Sequence, residues 1–177
     1  VYALVESEKT ALYRSDDAGA TWEWKNDAFN LQVRPFYFAY LVVDPKDFDT
    51  IYKPGLSLTF SQDGGKTFSA GGFGGGPHSD HHALWIDPRD PKNLVLGTDG
   101  GVYISYDQAN NWRLVGALPV SQIYHVTYDM ERPYNVYGGL QDNGSWMGPT
   151  SAPGGIRNKH WRNVGGGDGF WTWRDTG

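Results

Sequence analysis

Apolar and polar residues alternate over short stretches of this chain, and no stretch of useful length repeats every 3.6 residues. Period-two alternation marks strands with one buried face. Val1 to Glu6 reads as one strand, Asn93 to Gly97 and Gly101 to Ser105 as a pair, and Asp168 to Arg174 as another. Apolar strands end in Val43-Asp44-Pro45 and Ile86-Asp87-Pro88, and turn residues follow. The pattern predicts an all-β chain of many short strands joined by tight turns.

The elements recur. Ser15-Asp16-Asp17-Ala18-Gly19-Ala20-Thr21-Trp22, Ser61-Gln62-Asp63-Gly64-Gly65-Lys66-Thr67-Phe68 and Ser105-Tyr106-Asp107-Gln108-Ala109-Asn110-Asn111-Trp112 align, 46 and 44 residues apart. A second landmark keeps step. Asp44, Asp87, Asp129 and Asp175 each follow an apolar or basic residue, at spacings of 43, 42 and 46. A repeat of roughly 40–45 residues is the length of a four-stranded propeller blade. The units predicted are 1–30 (partial), 36–72, 79–116, 121–163 and the start of another at 164–177. In the fourth unit, Gln141-Asp142-Asn143-Gly144-Ser145-Trp146 stands where the Ser-x-Asp turn is expected.

Composition narrows the function classes. The 177 residues include 24 Gly, 8 Trp, 11 Tyr and 8 Phe, which suits strands and turns. A formal net charge of −5 argues against nucleic acid or an anionic membrane as partner. No run of 18 apolar residues is present, so no helical membrane-spanning segment is expected. The absence of cysteine excludes a disulfide scaffold and a thiolate metal site.

The pattern Ser-x-Asp-x-Gly-x-Thr-Trp resembles the Asp-box of bacterial neuraminidase repeats, complete in the first two copies if Phe68 replaces Trp. His81-His82-Ala83-Leu84-Trp85-Ile86-Asp87-Pro88, Gly97-Thr98-Asp99-Gly100-Gly101, Gly139-Leu140-Gln141-Asp142-Asn143-Gly144 and Gly165-Gly166-Gly167-Asp168-Gly169-Phe170 are similar to sortilin-like bacterial propellers labelled as glycosyl hydrolases. The resemblance implies a β-propeller. About four blades are present where the family has seven or more, so a fragment of a longer propeller is expected, with a four-bladed ring as the alternative. It also implies structural roles for Ser15, Asp17, Gly19, Trp22, Ser61, Asp63, Gly65, Phe68, Ser105, Asp107 and Trp112. Asp accepts turn N–H bonds, Gly supplies positive φ and the aromatic wedges into the core. No cofactor is required, with a structural calcium ion in the turn as the exception considered.

Chemistry is sought at the strand starts. Seven residues before each landmark aspartate stand Tyr37, Asp80, Gln122 and Asp168, expected at one height around a channel mouth. Asp80 and Asp168 are the candidate catalytic carboxylates, as an inverting glycosidase needs a pair about 6.5–9.5 Å apart. Tyr37, His78, His82, Gln122 and Asp142 are candidate ligand-lining residues. Period two puts His78, Asp80 and His82 on one side as weak metal candidates. A straight strand separates its ends by about 13 Å, so a bend at Gly74-Gly75-Gly76-Pro77 would be needed. Gly71 to Gly76 lacks the Lys-Ser/Thr of a phosphate loop and reads as a loop at the propeller face; Gly165 to Gly167 reads as close packing. Trp85, Trp171 and Trp173 offer sugar-stacking faces, though alternation assigns them to the core. Arg34, Arg157 and Arg162 match no sialidase triad. The leading expectation is a non-catalytic scaffold for protein or glycan binding, extracellular, periplasmic or associated with the cell envelope. Its partner is the rest of a longer propeller or another subunit, and polysaccharide is the candidate ligand. The alternative is an inverting, xyloglucanase-like glycoside hydrolase.

Overall fold

A computed structural model describes residues 1–33, 36–38, 40–70, 76–116, 118 and 120–175. The chain divides into two compact units, Val1–Gly116 and Ala117–Gly177. Both are β, and the described residues hold a single α-helical turn, α1 (Phe29–Gln32).

The first unit carries three antiparallel meanders. β1 (Tyr2–Val5), β2 (Ala11–Arg14) and β3 (Glu23–Asn26) form a three-stranded sheet. β4 (Val42–Val43), β5 (Ile51–Lys53), β6 (Thr59–Ser61) and β7 (Ser69–Ala70) form the second sheet, in that order. β8 (His81–Ile86), β9 (Leu94–Thr98), β10 (Gly101–Ser105) and β11 (Arg113–Leu114) form the third. The second unit holds one sheet of β12 (Ile123–Tyr128), β13 (Asn135–Leu140), β14 (Ser145–Pro149) and β15 (Arg162–Gly165). Each four-stranded meander has the strand order of a propeller blade. No helix among the described residues is long and apolar enough to cross a membrane.

Cores lie between successive sheets of the first unit. Leu12 of the first sheet meets Ile51 of the second and Leu31 of α1, all 0% exposed. Tyr52 of the second sheet and Leu58 of its β5–β6 loop meet Leu84, Ile86, Leu94 and Leu96 of the third. Fully burying one such leucine or isoleucine contributes about 1.5–3 kcal/mol.

The landmark aspartates pin the connection from first to second strand in each four-stranded sheet. Asp44 accepts from the N–H of Lys46 (2.8 Å) and Asp47 (3.1 Å), and Asp87 from Arg89 N–H (2.9 Å). Asp129 accepts from Asn135 N–H (2.8 Å), Asn135 Nδ2 (2.8 Å) and the Tyr137 hydroxyl (2.9 Å). Burial alone would raise the Asp129 pKa, but these donors hold it well below the ordinary value.

The Ser-x-Asp turns join β2 to β3, β6 to β7 and β10 to β11, third strand to fourth in the two four-stranded sheets of the first unit. In the second sheet, Ser61 Oγ donates to Asp63 Oδ1 (2.7 Å) and accepts from Gly65 N–H (2.8 Å). Asp63 then accepts from Thr67 N–H (2.9 Å) and Thr67 Oγ1 (2.6 Å). Asp17 with Thr21, and Asp107 with Asn111, repeat this scheme. The Thr21 and Thr67 hydroxyl bonds are the largest cause holding Asp17 and Asp63 at about 2. A calcium ion in such a turn would compete with donors on both carboxylate oxygens.

Two expectations about these turns are corrected. Gln141 to Trp146 does not replace the Ser-x-Asp turn, because it connects β13 to β14, second strand to third. The third-to-fourth connection there is 150–161, with a 3-10 turn at Asn158–His160. The aromatic also does not wedge into the core in every copy. Phe68 and Trp112 pack against the two cores, whereas Trp22 is 45% exposed, its Nε1 donating to Gly19 O (3.1 Å).

Candidate functional site

In the first unit, the start of β8 gathers several of the candidate residues. Asp80 takes φ +60°, and the next residue begins the strand. The bend is therefore at Asp80 itself, and His78 is not in strand register with His82. Asp80 N–H donates to Leu56 O (3.2 Å) and His81 N–H to Gly55 O (2.8 Å), fixing this corner to the β5–β6 loop. The register then shifts between His81 and Ala83. A bulge re-aims side chains, and here His81 turns in, 2% exposed, while His82 turns out. Burial lowers the His81 pKa, and its Nε2 sits 2.9 Å from His78 O.

His82 Nε2 lies 2.6 Å from Asp99 Oδ1. The Tyr37 and Phe38 rings flank its imidazole, each with its centroid 5.7 Å away. Asp99 comes from the β9–β10 hairpin, and its N–H donates to Asp80 O (3.2 Å). Buried Lys53 holds Phe38 from below, its Nζ donating to Phe38 O (2.6 Å) and Pro54 O (2.9 Å). Burial lowers the Lys53 pKa to about 8. A His–Asp pair of this kind fixes one ring nitrogen and leaves the other for a ligand. Of the candidates from the sequence, Tyr37 lies on the His82 ring, the Asp80 carbonyl holds Asp99, and the His78 carbonyl lies on the buried His81. Asp99, Phe38 and Lys53 were not among those candidates; the tight Thr98-Asp99-Gly100-Gly101 hairpin was the available signal for Asp99.

The second unit builds a related corner from different residues. A register shift between Ile123 and His125 puts Tyr124 at the bulge, where His82 stands in the third sheet. Gln141 N–H donates to Gln122 O (3.4 Å), and Asp142 N–H to Asp168 Oδ1 (3.0 Å). Gln122, Asp142 and Asp168 therefore belong to one corner, while Asp80 belongs to the other unit. The Gly165 to Gly167 backbone packs closely on the β13–β14 turn, where a Cβ on Gly144 would come within 2.5 Å of Gly165 O and Gly144 N–H donates to Gly167 O (2.8 Å). A Cβ on Gly166 or Gly167 would meet nothing within 4 Å, whereas one on Gly139 would strike Phe170 O.

Residues 168–174 are not a paired strand, contrary to expectation. They run beside β12 through side-chain contacts. The Thr127 hydroxyl donates to Thr172 O, and Arg174 Nη1 to Asp129 Oδ2 (3.2 Å) and Glu131 Oε1 (2.6 Å). Phe170 stacks on Tyr124 (4.7 Å, 7°), Trp171 on His125 (3.8 Å, 10°) and Trp173 on Trp171 (5.6 Å, 9°). Trp171 and Trp173 are 57% and 71% exposed, and Trp85 is 52% exposed, so none is core. Alternation marks a side of a strand, and a side is buried only where another layer covers it.

Among the described residues, no three His, Asp or Glu side chains gather in a metal-binding group, His78, Asp80 and His82 included. Arg34 and Gly71 to Gly75 lie outside the described residues.

These features define an all-β chain of blade-like meanders with exposed aromatic and carboxylate corners. No protein-family model matches it. The chain is 26% identical over 137 residues to an oligoxyloglucan-reducing end-specific xyloglucanase of Emericella nidulans, covering 66% of this chain and 16% of that protein. Among solved structures, a GH74 enzyme of Niastella koreensis aligns over 89% of this chain and 26% of its own, at 17% identity and TM-score 0.49. A GH74 xyloglucanase from Xanthomonas campestris aligns over 88% and 26%, at 16% identity and TM-score 0.46. The chain thus spans 16% of the curated relative and about a quarter of each solved neighbour.

Proposed function

We propose that this chain is a β-propeller segment of a longer protein and binds a polysaccharide on the second unit. The observation that carries this reading is the stack of His125, Trp171 and Trp173, whose ring planes lie nearly parallel and whose two tryptophans are open to solvent, Trp173 most of all. Exposed flat rings offer stacking faces for the apolar C–H surfaces of sugar rings. Asp142 and Asp168, in the same unit, add carboxylates that accept from sugar hydroxyls. The Ser-x-Asp turns act as Asp-boxes that hold the blades and take no part in binding. A polysaccharide ligand places the protein outside the cytoplasm, in the extracellular space, the periplasm or the envelope.

Affinity electrophoresis through gels containing xyloglucan tests this reading. The native chain should be retarded, and Trp171→Ala with Trp173→Ala should migrate as in a gel without polysaccharide. Unretarded native chain would sink the proposal.

A second reading, a glycoside hydrolase with Asp80 and Asp168 as its carboxylates, draws support from the xyloglucanase relative. It requires the acid and base of an inverting pair, one of them protonated at the working pH. Release of reducing ends from xyloglucan by the parent protein, abolished by Asp168→Asn without loss of binding, would favour it over the scaffold.

A further inference from the structure

A cavity of about 370 Å³ opens on the first sheet, lined among others by Glu8, Lys9, Tyr13, Trp24, Asp27 and Gln32. Tyr13 and Trp24 are direct cross-strand partners in β2 and β3, so their side chains share one side of the sheet. Trp24 is 53% exposed. The floor is the buried start of β2, where Ala11 is 3% exposed. Gln32 Nε2 donates to Asp27 O, which ties α1 to the end of β3 and fixes that wall. The volume lies at the lower end of small-molecule sites, about 300–1,000 Å³.

We propose that this cavity binds a neutral sugar of one or two rings. The lining selects for that chemistry. Glu8 and Asp27 repel an anion, and Lys9 offsets one of their two charges against a cation. A neutral polyol can satisfy all three, donating hydroxyl protons to the carboxylates and accepting from Lys9 and the backbone. Its C–H face has the exposed Trp24 ring to lie on. None of these residues belongs to the aromatic stack of the second unit, so this site does not depend on that reading.

The test is an NMR titration of the 177-residue chain, following the Trp24 indole N–H signal, assigned with Trp24→Phe. Cellobiose and lactose are the neutral probes, and glucosamine and glucuronate the charged ones. The expected result is a saturable shift with a neutral disaccharide and weaker response to both charged sugars. Asp27→Asn and Glu8→Gln should each weaken binding roughly tenfold, equivalent to about 1.4 kcal/mol, with the rest of the spectrum unchanged. Trp171→Ala should leave the shift intact. Absence of a saturable shift with both disaccharides, tighter binding of a charged sugar, or native affinity in Asp27→Asn would each overturn the proposal. So would loss of the shift in Trp171→Ala, which would assign the binding to the second unit.

Discussion

The turns Ser15–Trp22 and Ser61–Phe68 are built by the same hydrogen bonds and sit in different surroundings. In each, serine Oγ accepts from the glycine N–H, and aspartate is held by threonine. Gly19 and Gly65 both adopt positive φ, +96° and +88°. A Cβ on Gly19 would meet only the Trp22 ring, at 3.7 Å. A Cβ on Gly65 would come within 2.6 Å of Leu12 Cδ2, on the first sheet. The octapeptide builds its own turn, and the neighbouring sheet decides what that turn can carry. The third copy sharpens the point. Ala109 keeps φ at +68° and is 1% exposed within the apolar core, so a methyl fits there.

Gly65→Ala attacks this contrast most strongly. It adds overpacking to backbone strain and should destabilise by about 2–4 kcal/mol. Equal effects of Gly65→Ala and Gly19→Ala in urea unfolding would show that the neighbouring sheet does not matter.

Asp63→Ala is next. It removes the acceptor for Thr67, Lys66 and Ser61 and should cost about 1–3 kcal/mol. Asp17→Ala should lower the melting temperature less, because its turn supports no second sheet.

Gly19→Ala, with room for its methyl, should cost only the strain of positive φ, about 1–2 kcal/mol. A larger loss than that of Asp63→Ala would place the first turn in an interface.

The smallest effect is at acid pH. Thr67 holds the Asp63 pKa at about 2, below the ordinary 3.8. A carboxylate with a lowered folded-state pKa stabilises above its unfolded value, and that contribution fades as pH falls from about 4 towards about 2. Thermal melts of Asp63→Asn over this range should show a flatter acid limb than the native chain. An identical limb would mean that other carboxylates govern it.

The candidate corners were only half legible for a reason visible at His78 to His82. Period two places residues on sides of a strand, but the strand begins at His81, and a bulge follows at once. Asp80 takes a positive φ although it is not glycine, held by the β5–β6 loop from another part of the chain. No count along the sequence contains that loop. The His82–Asp99 pair spans 17 residues for the same reason, needing the β8–β9–β10 register to close.

The sequence by itself determined the repeat, most of the strands and the Ser-x-Asp turns, because hydrogen bonds within eight residues and alternation along one strand are local. Asp44, Asp87 and Asp129 pin neighbouring backbone, and the recurrence of that chemistry could be read directly. Only the tertiary structure decided which faces are covered. Leu12 and Ile51 vanish between sheets, while Trp171 and Trp173, equally apolar and equally regular in spacing, stay open. Burial depends on what another layer brings to a face, and packing between sheets fixes it.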